Sequence, residues 1–431
     1  MAKKLTQGTA LKQYEEAPIV SEYPLSADSP VVAPIRIAIV VTHAIQYLVP
    51  YYRALSARPG VTLKVFFCRR WGAEAYYDRD FCRHVKWDLP MLDGYEWEVL
   101  KFTGDGKQHG FWAVDNPEVG DALRKFRPDI VEIGGYAHRT MLRSIRWCNR
   151  NGVPVILSSD SNSVARRVWW KRALKTVVVG NIYSRLDGVF SNGHNNRAYH
   201  VHYGMPADRI FQRPLPVDCR GIVSSVGDLS AARKEIRQKH GIPQDAFVAI
   251  FAGKLSSIKC PLHLLQAVQI CGRKGLNVWG LVVGEGSERP TLERHIAEHR
   301  LKNVVLAGFV NQSVITRYFA ASDVLTLMSS HEAKGQVVPE SGSLGRPAIL
   351  SDQVGCIGPD DCARPGENAL VYPWGNIDAF SLHIARLHED EYLYRSMSEA
   401  AVRIANLQDA SVVAAQMEQA ARQLNQIGSR R

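Results

Sequence analysis

The sequence predicts an α/β protein made of two successive domains, each with a parallel β-sheet covered by helices on both faces. Short β-branched runs alternate with amphipathic helical segments, and this alternating series occurs twice along the 431 residues. A chain of this length that is 46% apolar can bury two cores. Because ligands of open parallel sheets lie beyond the carboxyl ends of the strands, two such sheets are expected to face each other across an interdomain cleft.

The domain boundaries follow from shifts in composition. Residues 1–33 are polar and are expected to form a flexible arm, and the first domain is predicted for 34–218. The polar segment 219–245 contains a short charged helix and ends in Gly-Ile-Pro, which is typical of a linker. The second domain is predicted for 246–405, and a helical tail at 406–431 could pack on either domain.

Composition restricts the partners and the location of the protein. The formal charge of +11 favours an anionic partner, such as a nucleotide diphosphate, a lipid surface or a nucleic acid. No nucleic-acid recognition motif is present, so nucleic acid is not expected as a partner. No apolar stretch reaches about 20 residues, and we expect a cytoplasmic protein that could contact the inner face of a membrane. The eight cysteines lack metal-ligand spacing and are interpreted as structural thiols.

Glycines and cations follow the first two strands of the second domain. Gly253, Lys254 and Lys259 come after the run AFVAIFA, and Pro261 starts the next helix. Two ammonium groups beside helix-start amides can hold a diphosphate, although surface lysines are usually just solvated. Gly284 follows the next strand in a Gly-Glu-Gly turn. Such a turn is weak evidence of a ligand site by itself, and it counts here only because it lies at the same predicted sheet edge.

The segment SSHEAKGQVVPESG is the most specific in the chain. Glu332 is expected in the loop after a strand, and Glu340 in the first turn of the following helix. Both carboxylates can accept hydrogen bonds from sugar or ribose hydroxyls. The backbone amides of Gln336 and Val337, which follow Gly335, can face a phosphate.

Polar residues also follow strands of the first domain. His138 follows one strand, where it either faces a ligand or has a structural or capping role. Asp160 follows the next strand, where its carboxylate either binds a hydroxyl of a ligand, stabilises positive charge on it, or caps a helix. Residues 165–172 mix cations with tryptophans, and they either rest on an anionic membrane or form a partly buried helix.

The ordered series of motifs resembles the retaining glycosyltransferases of family four, the bacterial-type glycosyl transferases group 1. Gly253-Lys254 with Lys259 resembles the family's phosphate-binding basic residues, and Glu332 with Glu340 resembles its two glutamates separated by seven residues. Three further turns resemble the family: Gly284-Glu285-Gly286, Gly345-Arg346-Pro347 and Gly366-Glu367-Asn368.

Two departures from this family occur in the first domain. Many members have a glycine-rich loop after the first strand, where this chain has Thr42-His43-Ala44-Ile45-Gln46-Tyr47. Many also have a histidine where Asp160 stands. The sequence around Gln46 and Tyr47 nevertheless resembles the opening of some bacterial enzymes related to this family.

The resemblance implies the GT-B fold, with two Rossmann-like domains, and a glycosyltransferase of polysaccharide biosynthesis. Such an enzyme moves a sugar from a nucleoside-diphosphate sugar to a hydroxyl of a glycan or lipid-linked glycan, with retention of configuration. It further implies that Lys254 and Lys259 neutralise the diphosphate, that Glu340 binds the ribose and that Glu332 contacts the donor sugar. Because oriented cations and amides can stabilise the leaving group, we expect transfer without a metal or cofactor.

Other functions on the same fold stay possible from the sequence. A nucleotide-sugar epimerase or a phosphorylase would use a similar donor site. A non-catalytic nucleotide-sugar-binding protein is suggested by the missing histidine and the missing glycine-rich loop. Nucleotide release that depends on an acceptor distinguishes a transferase from all three.

Overall fold

The computed structural model describes residues 33–78, 81–104, 110–161 and 169–427, without the side chains of 169–174. The predicted arm lies almost wholly outside the described residues. The described chain forms two parallel sheets and one separate antiparallel hairpin. The α/β prediction with two Rossmann-like halves is therefore confirmed.

The first sheet has seven parallel strands in the order β5-β2-β1-β6-β7-β8-β9. The hairpin of β3 and β4 stands apart from it. The strands of this domain are β1 (Ile35–Val41), β2 (Val61–Phe67), β3 (Tyr76–Asp78), β4 (Arg83–Val85), β5 (Glu96–Val99), β6 (Ile130–Gly134), β7 (Val155–Ser158), β8 (Gly188–Ser191) and β9 (Ile210–Gln212). Its helices are α1 (Val49–Ser56), α2 (Val119–Phe126), α3 (Arg139–Asn151), α4 (Trp169–Tyr183) and α5 (His194–His202).

The second sheet has six parallel strands in the order β12-β11-β10-β13-β14-β15. Two helices precede it, α6 (Cys219–Val226) and α7 (Leu229–Lys239). The strands are β10 (Phe247–Ala252), β11 (Val278–Val283), β12 (Val304–Gly308), β13 (Val324–Leu327), β14 (Ala348–Ser351) and β15 (Ala369–Tyr372). The other helices are α8 (Leu262–Arg273), α9 (Arg289–His299), α10 (Gln312–Ala321), α11 (Val337–Gly342), α12 (Ile377–Glu389), α13 (Glu391–Asn406) and α14 (Ala410–Ile427).

The central strands are buried on both faces, which explains their continuous apolar sequences. In β1, alternate residues enter opposite cores: Ile37 and Ile39 pack on one side of the sheet, and Ala38 and Val40 on the other. The same division occurs in β10, where Val248 and Ile250 face one core, and Ala249 and Phe251 face the other. A parallel sheet with helices on both faces requires this pattern.

The strand order determines where a ligand can sit. β1 lies between β2 and β6, and β10 lies between β11 and β13, so the chain leaves these strands toward opposite sides. A crevice opens at such a reversal, beyond the carboxyl ends of the strands. The residues that follow β1, β6, β10 and β13 therefore line the cleft between the two sheets.

The segment expected as a linker, 219–245, is part of the second domain's core. It forms α6 and α7, whose Val226, Ala232 and Ile236 are buried together with β10 residues such as Val248. The linker expectation failed because the apolar residues are widely spaced among charged ones. A few buried contacts per turn suffice to hold a helix on a sheet.

The last helix crosses back to the first domain, which is one of the two placements that the sequence left open. Val413, Met417 and Leu424 of α14 are buried in the core that also contains Ile37. Just before this helix, Val217 pairs with the chain around Asp409: its amide donates to Gln408 O at 2.9 Å, and its carbonyl accepts from Ala410 N at 2.9 Å. The two domains are thus joined by two adjacent crossings of the chain.

Candidate functional site

The two predicted cations lie on the loop that follows β10, at the carboxyl edge of the second sheet. Gly253 and Lys254 follow the strand directly, and Lys259 ends a 3₁₀ turn formed by Ser257–Lys259. The ammonium group of Lys259 contacts the carboxylate of Glu332, so the structure brings these two predicted residues together. Lys254 pairs instead with Asp78 of the hairpin, at 3.1 Å.

The glycine turn after β11 supports the cationic loop by direct backbone packing. A Cβ atom at Gly284 would lie 1.8 Å from the carbonyl oxygen of Gly253, so a side chain there would push the loops apart. The backbone φ of Gly284 is +145°, a value that L residues rarely adopt. Leu255 N also donates to Glu285 O at 2.9 Å. The turn therefore fixes the position of Lys254.

The loop after β13 carries the rest of the predicted donor site. Gly335 has φ +79°, which allows the chain to turn into the short helix α11 at Val337. The side chain of Gln336 donates from Nε2 to Pro216 O of the first domain at 2.7 Å. Gln336 thus connects the domains through its side chain, and its amide's role toward phosphate stays a prediction.

Glu340 lies in α11 and is half-buried at the cleft. Burial away from solvent raises the pKa of this carboxyl from 4.5 to about 7. Glu340 also acts electrostatically on Tyr47 of the first domain: after burial, the charges of Asp160 and Glu340 are the next largest causes that raise the pKa of Tyr47. Tyr47 therefore lies within electrostatic range of both carboxylates, one from each domain.

Asp160 follows β7 and accepts a hydrogen bond from Asn192 Nδ2 at 2.9 Å. Burial raises the pKa of Asp160, and the charges of Lys334 and Arg213 partly oppose that shift. The Asn192 amide therefore orients the Asp160 carboxylate, and the positive charges of Lys334 and Arg213 favour its ionised form. The capping alternative concerns the chain that follows, and residues 162–168 lie outside the described residues.

His138 occupies the residue before α3, but its side chain makes no capping hydrogen bond to that helix. Its Nδ1 is 3.0 Å from Gly110 O. The charge of His138 also acts on His43, whose pKa is lowered to about 4 by burial, by Arg69 and by His138. His138 and His43 are therefore neighbours at the carboxyl edge of the first sheet, and the capping interpretation of His138 is excluded.

Lys334 and Asp361 of the second domain form a buried ion pair that contacts the first domain, and sequence reasoning missed it. The Lys334 ammonium donates to the carbonyl of Asn192 and to Asp361 Oδ1, the latter at 2.9 Å. Asp361 also accepts from His194 N at 2.9 Å. Although burial opposes the charge, Cys362 and Asp361 raise the pKa of Lys334 above its usual value. The pair joins the second domain to the segment around Asn192 and His194, and its one sequence signal is the position of Lys334 beside Gly335.

The expected membrane contact and the expected absence of a metal ion concern residues that the structure describes only in part. Residues 162–168 and the side chains of 169–174 lie outside the described residues, so the segment 165–172 is not placed. Among described helices, none is long and apolar enough to cross a membrane. In the same ranges, no group of three or more histidines, cysteines, aspartates or glutamates is arranged to hold a metal ion.

The raised pKa of Glu340 gives a prediction on stability and binding. Between pH 4.5 and about 7 the folded protein holds a proton that the unfolded chain has lost, so the free energy of unfolding should fall as pH rises through this window. A ligand whose hydroxyls donate to the ionised carboxylate should bind more tightly from pH 6 to pH 8, by up to about tenfold per pH unit below the pKa.

Chemical denaturation and nucleotide titration at pH 6, 7 and 8 measure both trends. Glu340→Gln is the matched control, because an amide of the same shape does not ionise. In this variant, the free energy of unfolding and the ligand affinity should both depend less steeply on pH. Equal pH slopes in the wild type and this variant would contradict the assignment.

The fold and the cleft define a class of protein. Two parallel-sheet domains that face each other, with cations and carboxylates at the strand ends between them, form the GT-B architecture. Residues 232–403 match the model of the family described as glycosyl transferases group 1.

Comparison with known proteins agrees with this assignment. The chain is 25% identical over 175 residues to alpha-D-kanosaminyltransferase of Streptomyces kanamyceticus, covering 40% of this chain and 44% of the relative. It is 29% identical over 213 residues to D-inositol 3-phosphate glycosyltransferase of Streptomyces coelicolor, covering 47% of this chain and 45% of the relative. The alignments thus span less than half the length of these two curated relatives.

The fold similarity extends over nearly the whole chain. The crystal structure of Anabaena Alr3699/HepE in complex with UDP superposes with a TM-score of 0.69 at 16% identity. The superposition covers 90% of this chain and 100% of that one. The GT-B prediction is therefore confirmed for both domains.

Proposed function

We propose that this protein transfers a sugar from a nucleoside-diphosphate sugar to a hydroxyl of a glycan or lipid-linked glycan, with retention of configuration. The observation that carries the proposal is the placement of opposite charges in one cleft. Lys254 and Lys259 follow β10, Glu332 touches Lys259, and Glu340 and Asp160 both act electrostatically on Tyr47. A diphosphate needs the cations, and sugar and ribose hydroxyls need the carboxylates.

The proposed reaction breaks the bond between the anomeric carbon and the diphosphate oxygen. Lys254 and Lys259 stabilise the negative charge that develops on the diphosphate, and Glu340 holds the ribose hydroxyls. Glu332 is assigned to the donor sugar, which it can contact while keeping Lys259 in position. These contacts need no metal ion, and we propose that transfer is metal-independent.

The acceptor hydroxyl forms its new bond on the same face of the sugar. Its proton passes to the departing phosphate oxygen, so atoms and charge balance without a further base. Asp160 is placed where it can bind a hydroxyl or stabilise positive charge at the anomeric carbon, and His138 lies at the same sheet edge as a second acceptor-side contact. Closure of the domains excludes water and limits hydrolysis of the donor.

Two further parts of the proposal concern the partners. UDP-sugars are the first donors to test, because the similar Anabaena structure holds UDP. Contact with an anionic membrane is proposed for the first domain, where the exposed Val177 and Val178 of α4 follow the cationic segment 165–172 in the sequence. We place this contact at the cytoplasmic face.

A thermal-shift screen against UDP-, GDP- and ADP-sugars tests the donor site. A donor present at about 100 times its dissociation constant should add about 2.7 kcal/mol to the free energy of unfolding. Nucleotide release should then require an acceptor and continue in EDTA. Sugar isomerisation without acceptor would indicate an epimerase, and stabilisation without any turnover across glycan acceptors would indicate a binding protein.

A further inference from the structure

The hairpin of β3 and β4 brings a carboxylate of the first domain to a cation of the predicted donor site. Both Asp78 carboxylate oxygens approach the Lys254 ammonium, at 3.2 and 3.1 Å. The Asp78 side chain is 9% exposed and the Lys254 side chain is 33% exposed, so this ion pair is partly shielded from solvent. It joins residues that are 176 positions apart in the sequence.

The hairpin is also fixed to the second domain by contacts that do not involve the ion pair. The ring of Phe81 meets Phe309 edge-on at 5.3 Å, and the Arg83 guanidinium lies 4.4 Å from the centre of the Phe309 ring. Asn311 Nδ2 donates to Lys86 O at 2.8 Å. Removal of the ion pair alone would therefore leave the hairpin attached.

Space remains for a ligand beside this pair. A cavity of about 430 Å³ lies between the hairpin and the Gly-Glu-Gly turn, with Phe81 and Arg83 on one side and Glu285 and Gly286 on the other. The Lys254 ammonium lies 5.2 Å from the centre of the Phe81 ring, and Phe81 lines this cavity. The cavity therefore lies next to the ion pair.

Both cations of the site are thus matched by carboxylates before any donor binds. Lys259 has Glu332, which belongs to its own domain, and Lys254 has Asp78, which belongs to the other. A diphosphate offers more charge and more acceptor oxygens than one carboxylate, and it repels a carboxylate that stays close. Binding of a diphosphate at Lys254 therefore opposes the Asp78 contact.

We infer that Asp78 is a positioning residue for Lys254, which it holds until the diphosphate of the donor takes its place. The inference rests on the proposed function, since it needs a diphosphate ligand at Lys254. Loading of the donor then removes the one described ion pair between the hairpin and the second domain. The hairpin connects β2 to β5 along the chain, so loss of the ion pair acts on the first domain.

Inorganic pyrophosphate is the probe, because it carries the diphosphate without base or sugar. Titration calorimetry in EDTA compares the wild type with Asp78→Asn and Asp78→Glu. Asparagine keeps the oxygen that accepts from Phe81 N at 3.1 Å, so this hydrogen bond can persist in the variant. EDTA prevents a divalent cation from bridging Asp78 and the probe.

Asp78→Asn is expected to bind pyrophosphate about fivefold more tightly, which corresponds to the loss of one partly exposed ion pair. Asp78→Glu retains the charge and should bind as the wild type does. In a Lys254→Gln background, Asp78→Asn should raise the pyrophosphate affinity by clearly less than fivefold, and a merely structural role for Asp78 would not produce this dependence.

The outcomes separate this inference from the proposed function. Unchanged or weaker pyrophosphate binding by Asp78→Asn, in a protein that binds UDP, GDP or ADP, overturns the role of Asp78 alone. A wild type that binds neither pyrophosphate nor any of these nucleotides overturns both. A fivefold gain that persists in the Lys254→Gln background also overturns the inference.

Discussion

Replacement of Glu340 by alanine is expected to lower the affinity for the nucleotide donor about 100-fold. The change removes the only carboxylate on α11, which is half-buried and which we propose as the acceptor for the ribose hydroxyls of the donor. Hydrogen bonds to charged groups contribute about 1.5–3 kcal/mol, which corresponds to this range. The donor-dependent thermal shift should therefore almost vanish.

Calorimetric titration of the donor measures this loss directly, and Glu399→Ala is the matched control. Glu399 is an exposed carboxylate on α13, so its removal should leave the donor affinity within about twofold of the wild type. Full donor affinity in a folded Glu340→Ala protein would show that Glu340 does not bind the donor.

Replacement of Asp323 by alanine is expected to lower the free energy of unfolding of the second domain by about 3–5 kcal/mol. Asp323 precedes β13 and accepts from Arg233 Nη2 at 2.7 Å, Arg237 Nη2 at 2.8 Å and Val248 N at 2.7 Å. Arg237 is fully buried. Without Asp323, its guanidinium stays in the core without a counter-charge.

The pKa values of this cluster agree with that expectation. Burial lowers the pKa of Arg237 to about 10 despite the opposing charge of Asp323. Burial would raise the pKa of Asp323, but the neighbouring arginines and the Val248 amide lower it below its usual value. The stability that Asp323 provides should therefore be present at neutral pH and be lost as pH falls through its lowered pKa.

Urea denaturation, followed by circular dichroism at pH 7, measures the effect of Asp323→Ala. Asp245→Ala is the control, since Asp245 is exposed and bonds only Asn277 among the described residues. We expect the control to change stability by less than about 0.5 kcal/mol. A loss of less than 1 kcal/mol for Asp323→Ala would show that water solvates Arg237 when the carboxylate is gone.

Much of the fold could be predicted because strands that are buried on both faces have continuous apolar sequences. The apolar runs of β1, β10 and β11 have no polar face, and the glycines and cations that follow β10 and β11 lie at one sheet edge by geometry alone. The contact between Lys259 and Glu332 follows from that geometry, because β10 and β13 are neighbours.

The remaining features depend on partners that are distant in the sequence. Lys334 has the sequence context of a solvated loop lysine, and it is buried only because Asp361 and the Asn192 carbonyl meet it in the folded chain. Arg237 belongs to a helix whose charged sequence suggests full exposure. Asp323, which neutralises its charge, lies 86 positions away in the sequence. No local pattern contains such pairings, since they arise from the topology.

The return of α14 to the first domain has a practical consequence for the study of domain motion. A fluorophore attached near Ile427 would move with the β1–β9 sheet, although its position in the sequence suggests the opposite half. A second dye on the exposed face of α9 would move with the other domain, so the distance between the two dyes would report the width of the cleft. Resonance energy transfer between the two dyes would then follow opening and closing in single molecules.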